Sequence, residues 1–226
     1  MKPFELLGQA LSPDGTVLKL MRRGDEYLIL AGSAILMSSR MHGSEEELAI
    51  FACQRVRTLE QPCVLIGGLG MGFTLRATLD LLPRDATVVV AEVVPAVVEW
   101  NRGPLGPLAG NPLQDKRVRV EARDVAVTLR SGLGQFDAVL LDVDNGPAAF
   151  TASHNAGLYD HRGIAAARGA LKSEGVLAVW AVQGDRRFEQ RLRHGGFEVQ
   201  VQRVRGRQKK GGPRHTIFRS YKSFPP

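Results

Sequence analysis

The stretch Val64-Leu65-Ile66-Gly67-Gly68-Leu69-Gly70-Met71-Gly72-Phe73-Thr74-Leu75-Arg76 constrains the fold more than any other in the chain. Cys63 to Ile66 is a short apolar run between Pro62 and glycines, which predicts a buried strand. Gly68, Gly70 and Gly72 make a G-x-G-x-G turn, and Leu75 to Leu82 behind it has helical spacing. Strand, glycine turn and helix N-terminus together form a binding device. Glycine permits the tight turn, and the bare backbone offers N–H groups to polar or negative ligand atoms. Such turns also serve simple strand–helix packing, so the next segment matters. Ala86 to Ala91 (ATVVVA) is a second continuously apolar strand, of the kind buried in parallel sheets, and it ends in Glu92. An acid there, about 20 residues after the turn, is placed to grip the diol of a ribose. The plainer alternative is a solvated strand-end carboxylate.

From Cys63 onward, strand and helix signals alternate, which predicts a doubly wound α/β fold with a mostly parallel sheet. After Glu92, Pro95 opens a helix to Asn101, and Gly103 to Pro112 reads as an irregular loop. Arg117 to Val120 is the third strand, with Ala122-Arg123-Asp124 at its end and a helix through Leu129. Phe136 to Asp142 is the fourth strand. A helix over Ile164–Leu171, an apolar strand over Gly175–Val182 and a charged helix over Asp185–His194 follow. Phe197–Val204 and His215–Tyr221 alternate in polarity and predict a closing antiparallel hairpin. Residues 1–42 differ. Four short apolar segments separated by Pro13-Asp14-Gly15, Gly24-Asp25 and Gly32-Ser33 predict a small β appendage of two hairpins. The expected division is therefore 1–42 and 43–226. Ser44 is expected to cap the first helix, with Glu45, Glu46 and Glu47 in its first turn, where negative charge suits the helix dipole.

The net charge of +7 invites a nucleic-acid reading, but Arg203, Arg205, Arg207, Lys209, Lys210 and Arg214 carry six positive charges in one local cluster. A solvated loop is the commoner reason for such a cluster, so nucleic acid is not expected as a partner. No apolar run approaches the roughly 18 residues that span a bilayer, and Met1 to Gly15 lacks the unbroken apolar core of a signal peptide. Cys53 and Cys63 have no metal spacing and are expected to be reduced, which suits a cytoplasmic location.

In an open parallel sheet, ligands bind beyond the carboxyl ends of the strands, where strand order reverses. Gly68–Gly72, Glu92, Asp124 and Asp142-Val143-Asp144-Asn145 stand at four such ends. Each acid alone could be a cap or turn residue. Together they repel one another unless a ligand occupies the space between them, which suits a neutral or cationic, hydroxyl-rich molecule. Glu92 fits a ribose, Asp124 a base amino group and Asp142 an amine or sulfonium. No Walker lysine follows the glycines, and no G-x-S-x-G, HExxH or metal constellation is present. Tyr159 is a candidate wall of an acceptor pocket, with plain packing as the alternative. Trp100 and Trp180 read as core, and His42 as a surface or capping residue.

These residues carry a resemblance. The arrangement resembles the S-adenosylmethionine-dependent methyltransferase fold of Rossmann type, and more closely the spermidine synthase family built on it. Ser38-Ser39-Arg40 with Glu47-Leu48-Ala49 resembles that family's signature before the first Rossmann strand. VLIGGLGMGFTLR resembles its glycine motif, Glu92 its ribose-binding acid and Arg123-Asp124 its adenine-side acid. FDAVLLDVDNGP resembles the motif bearing its catalytic aspartate, which falls on Asp142. The resemblance implies cofactor contacts at Gly68, Gly70, Met71, Gly72, Glu92 and Asp124. It implies a catalytic role for Asp142 and substrate contacts from Asp144, Asn145 and Tyr159, with no metal. The chain also departs from the family. Met71 and Asn145 stand where it carries aspartates, and its glutamine and tyrosine–histidine pair are not evident around Leu36–Glu46. The expected activity is therefore methyl transfer from S-adenosylmethionine to a small amine. The alternative is polyamine aminopropyl transfer from decarboxylated S-adenosylmethionine. An alternative of another class is a non-catalytic nucleoside- or nucleic-acid-binding protein. A homodimer stays open, and no membrane partner is expected.

Overall fold

The computed structural model describes residues 3–143, 146–147, 156–207 and 212–222. Its centre is a seven-stranded sheet in the order β10-β11-β9-β8-β5-β6-β7. β5 (Cys63–Gly67), β6 (Thr87–Ala91), β7 (Val118–Glu121), β8 (Phe136–Leu141) and β9 (Leu171–Ala181) run parallel. β10 (Phe197–Arg205) and β11 (Arg214–Lys222) form the expected hairpin, and β11 adds antiparallel to β9. The chain runs from β5 outward through β6 to β7, then crosses back to β8 and β9 on the other side. The strand order thus reverses between β5 and β8, where Val64 pairs with both Val88 and Ala138.

The side-chain period of two sorts the central strands onto two faces. Val64, Ile66, Val88, Val90, Ala138, Leu140, Val176 and Ala178 face one cluster with α1 (Gly43–Val56), α2 (Phe73–Leu81) and α3 (Pro95–Arg102). Leu65, Val89, Ala91, Val139, Leu141, Leu177 and Val179 face the other, with α4 (Val125–Ser131), α6 (His161–Ala170) and α7 (Arg186–His194). A short helix, α5 (Ala156–Tyr159), precedes α6.

The N-terminal segment is one four-stranded antiparallel meander, β1 (Glu5–Leu11), β2 (Val17–Arg23), β3 (Glu26–Ala31) and β4 (Ala34–Ser38). Its Leu18, Leu20, Tyr27 and Ile29 lie in the same core cluster as α1 and α3, so its inner face joins the main core. Gly8 of β1 lies against the indole of Trp100, where a Cβ would stand 2.5 Å from the ring nitrogen.

Three local expectations are corrected. Helix α2 begins at Phe73, two residues earlier than the periodicity predicts, because Gly72 takes a left-handed conformation (φ 83°) and starts it directly. The loop over 103–112 contains a 3-10 turn at Gly106–Ala109, and a second follows at Pro112–Gln114. Ser44 does not cap α1. The N-cap is His42, which makes no side-chain capping bond, and the Ser44 hydroxyl donates to Glu45 Oε2 at 2.7 Å.

Candidate active site

The turn after β5 lies at the reversal of strand order. Gly68 (φ 88°) donates its N–H to Ala91 O, and Asp142 N donates to Gly67 O, both at 2.9 Å. A Cβ on Gly68 would stand 2.5 Å from the carbonyl oxygen of Asp142, so only glycine brings the two strand ends this close. Gly70 (φ 51°) lies under the thioether of Met37, whose Sδ would be 2.7 Å from an added Cβ. The last strand of the N-terminal sheet therefore covers the glycine turn. Asn101 of α3 braces the turn by donating from Nδ2 to Gly70 O at 2.8 Å.

Glu92 is buried, and both its oxygens are held by backbone N–H groups. Oε2 accepts from Leu69 at 2.9 Å and Oε1 from Val94 at 2.8 Å. The carboxylate thus clamps the glycine turn to the start of α3. Asp124 is half-buried at the N-cap of α4 and accepts from Ala126 N at 2.7 Å through Oδ1. Met71 is 1% exposed and its side chain belongs to the core beneath the turn. Tyr159 is also buried, edge-on to Phe188 at 5.6 Å, and its hydroxyl donates to Val143 O at 3.3 Å. Asp144 and Asn145 lie outside the described residues.

Asp142 leaves the end of β8 and retains some solvent contact as a residue, while its carboxyl group is surrounded by protein. Thr74, in the first turn of α2, donates its hydroxyl to Oδ2 at 2.6 Å. Burial pushes the carboxyl up to about 6, and the Thr74 hydrogen bond only partly opposes it. A carboxyl tuned this close to neutrality, at a strand end beside a glycine turn, can accept a proton from a substrate at physiological pH.

The structure adds a residue that sequence reading assigned only to the helix dipole. Glu45, in the first turn of α1, is buried, and burial first and the charge of Asp142 second push its carboxyl up to about 7. The charge of Asp142 thus bears on a carboxyl from a distant part of the chain. The His42 ring stacks on Phe73 with centroids 4.1 Å apart, and His42 Nδ1 lies 2.7 Å from Glu46 Oε1. His42, Glu46, Phe73, Arg76, Leu108 and Gly110 line an open groove of about 510 Å³. The signal that could have revealed Glu45 is its place one residue after a serine at a helix start. Nothing in a single sequence says that α1 docks its N-terminus beside β8.

Among the described residues, no cluster of three or more His, Cys, Asp or Glu could hold a metal ion. Among them too, no helix is long and apolar enough to cross a membrane. Cys53 and Cys63 are both free thiols, and burial pushes Cys53 up to about 12.

No protein-family model and no curated protein sequence matches the chain. Solved structures do. Spermidine synthase from Thermotoga maritima superposes with a TM-score of 0.75 at 18% identity, covering 96% of this chain and 73% of that one. A spermidine synthase in complex with the transition-state analogue AdoDATO gives 0.74 at 18% identity, covering 96% and 72%. A probable spermidine synthase from Corynebacterium glutamicum gives 0.68 at 14% identity, covering 99% and 81%. The two-sheet architecture is thus a spermidine synthase-like fold on a Rossmann-type sheet.

Proposed function

We propose that this chain is a transferase that moves a group from an adenosyl sulfonium donor to a small amine, and that the group is the aminopropyl arm of decarboxylated S-adenosylmethionine. The observation that carries the reading is Asp142: a carboxyl raised to about 6, fixed by Thr74 beside the Gly68 turn at the switch point of a spermidine synthase-like sheet. The sequence alone favours methyl transfer. The likeness to a spermidine synthase solved with AdoDATO favours the aminopropyl alternative instead.

The residues fit such a donor. The cradle at Gly68 would be filled by any Cβ, and Glu92, clamped between Leu69 and Val94, holds the strand-end position of a ribose-binding acid. Bound there, the donor supplies an electrophilic carbon next to a positively charged sulfur. The protein's part is alignment of the attacking nitrogen and removal of its proton. Asp142 takes that proton, and Thr74 holds the carboxyl in one orientation. Asp124, with one oxygen used in capping α4, has the other available for a base amino group.

The reaction is tested by incubating the protein with putrescine and either donor and identifying products by mass spectrometry. Methylthioadenosine together with an aminopropylated amine is the expected result. S-adenosylhomocysteine with a methylated amine would restore methyl transfer. Donor binding by calorimetry without product would favour the non-catalytic nucleoside-binding reading, and no donor binding would reject the site altogether.

A further inference from the structure

We infer that the closing hairpin and the start of α7 form one arginine face that docks the phosphate backbone of a nucleic acid. No group placed in the transferase site takes part, so the face stands or falls independently of that reading. In the sequence, Arg203, Arg205, Arg207 and Arg214 stand as one local cluster of the kind a solvated loop explains. The fold brings a second element to them. α7 packs on the face of β10 and β11 that carries Val199 and Phe218, with Phe188 edge-on to Phe218 at 5.1 Å. The side-chain period of two puts Arg203 and Arg205 on that same face, and Arg214, directly opposite Arg205, shares it. Thr216 pairs with Arg203 on one side and with Ala181, the last residue of β9, on the other. Arg205 and Arg214 therefore overhang the carboxyl edge of the sheet. Gly184, just before the α7 N-cap, lies where a Cβ would be 3.8 Å from Thr216 Oγ1, so Arg186 and Arg187 in the first turn of α7 stand at this end too.

Two local rules are broken here, at the same place and in the same sense. Like charges directly opposite in an antiparallel pair destabilise it, yet Arg205 faces Arg214. Cations at a helix N-terminus oppose the dipole, yet Arg186 and Arg187 open α7. Arg191, Arg193 and His194 in the last turn of the same helix obey the rule. No acid of the described residues forms an ion pair with Arg186, Arg187, Arg203, Arg205, Arg207 or Arg214, and all six are exposed. The acids within reach along the chain are otherwise engaged. Asp185 caps α7 and lies 4.0 Å from Arg191, Glu189 pairs with Arg193, and Glu198 of β10 falls on the opposite face by the period of two. Conflicts of this kind mark functional surfaces, because a ligand supplies the missing compensation. An anion with several charges relieves both conflicts at once.

The chemistry of the face selects among polyanions. All six cations are arginines, whose planar fork binds phosphate oxygens in pairs. Arg203 and Arg205 are two residues apart on one strand, a spacing of about 6.8 Å, and Arg207 follows just past β10. A row of cations along a hairpin tracks a linear chain of phosphates. A lipid surface is gripped differently, by basic residues interleaved with large apolar side chains that enter the bilayer. The exposed apolar residues near this face are the short side chains of Val182 and Val201. Phosphate contacts carry no base sequence, so the binding is general for nucleic acid.

Fluorescence anisotropy with labelled single strands and duplexes of about 20 nucleotides, without donor or acceptor, tests the face. The expected Kd is about 1–100 μM at physiological salt, indifferent to sequence, with log K falling against log salt at a slope of about −3 or steeper. Arg205→Gln with Arg214→Gln, and separately Arg186→Gln with Arg187→Gln, should each weaken binding at least about tenfold at ~0.05 M salt and flatten that slope by about 1–2. Arg84→Gln, before β6 at the opposite edge of the sheet, should change neither. Both double variants should keep the unfolding midpoint, since the four side chains are exposed and hold no ion pair. Absent binding, binding that ignores salt, or binding unchanged in either double variant would overturn the face. Sedimentation with phosphatidylserine–phosphatidylcholine vesicles in place of oligonucleotide binding would assign the arginines to a lipid surface and overturn it equally.

Discussion

At the scale of single residues, the site depends on how far its surroundings move two carboxyls from their ordinary range. Desolvation raises Asp142, and the Thr74 hydroxyl draws it back by stabilising the ionised form. Thr74→Val should therefore raise Asp142 further. Because Asp142 must be ionised to accept a proton, the rising limb of kcat/KM against pH should move to higher pH in that variant. An unmoved limb would mean that another group limits the rate. Asp142→Asn keeps the shape of the side chain and removes its basicity, so turnover should fall by about 10²-fold or more while donor affinity is retained. Steady-state kinetics with calorimetry separates the two effects. Met71 shows the limit of arguing from residue type alone. Its uncharged side chain weighed in the sequence against a decarboxylated donor, but the structure places that side chain in the core under the turn.

At the scale of elements, the glycine turn works because two strand ends and a helix meet within van der Waals distance. Gly68 combines a left-handed backbone with a clearance that no side chain fits. Gly68→Ala should destabilise the protein by at least about 1–3 kcal/mol from backbone strain. It should also push the Asp142 carbonyl away, so loss of donor binding should accompany the drop in unfolding midpoint. The same element logic explains the caps. Asp124, Asp160 and Asp185 each accept from backbone N–H groups in the first turn of the helix that follows. Of these, Asp124 also stands at the binding edge. Helix α1 follows a different rule: its first turn carries Ser44 and Glu45 inward, toward the site.

For the whole molecule, the basic cluster belongs to the closing hairpin, whose Gly206 accepts from Gly43 N at the start of α1 at 3.0 Å. The acids gather at the carboxyl edge of the sheet, while Arg203, Arg205, Arg207 and Arg214 lie on or beside the hairpin of β10 and β11. β10 is the strand at the sheet margin, separated from β5 by β11, β9 and β8. Lys209 and Lys210 of the same cluster lie outside the described residues. Neutralising Arg205, Arg207, Lys209 and Lys210 together should leave donor affinity unchanged in calorimetry. A loss would move this loop into the site, and salt-sensitive oligonucleotide binding that vanished in the variant would favour a nucleic-acid-binding role. The N-terminal sheet, in contrast, cannot be treated as an attachment. Leu20 and Ile29 are buried in the main core, and Met37 covers Gly70.

The sequence by itself determined the alternation of strands and helices, the closing hairpin and the glycine turn with acids after it. Apolar runs bounded by glycine and proline are local signals, and a buried parallel strand such as Thr87–Ala91 has no other reading of comparable weight. It also placed Asp142 at a strand end, since Phe136–Leu141 runs unbroken into it. Tertiary structure alone decided which residues meet there. Glu45 and Asp142 are nearly a hundred positions apart, and the charge of Asp142 bears on Glu45 because α1 docks against α2 and β8. It also decided that Glu92 spends both oxygens on backbone N–H groups and that Met71 turns into the core. The physical reason is one of range. Periodicity and turn chemistry act within a few residues of the chain, whereas burial and charge act across space, and a carboxyl's pKa is set by whatever the fold brings beside it.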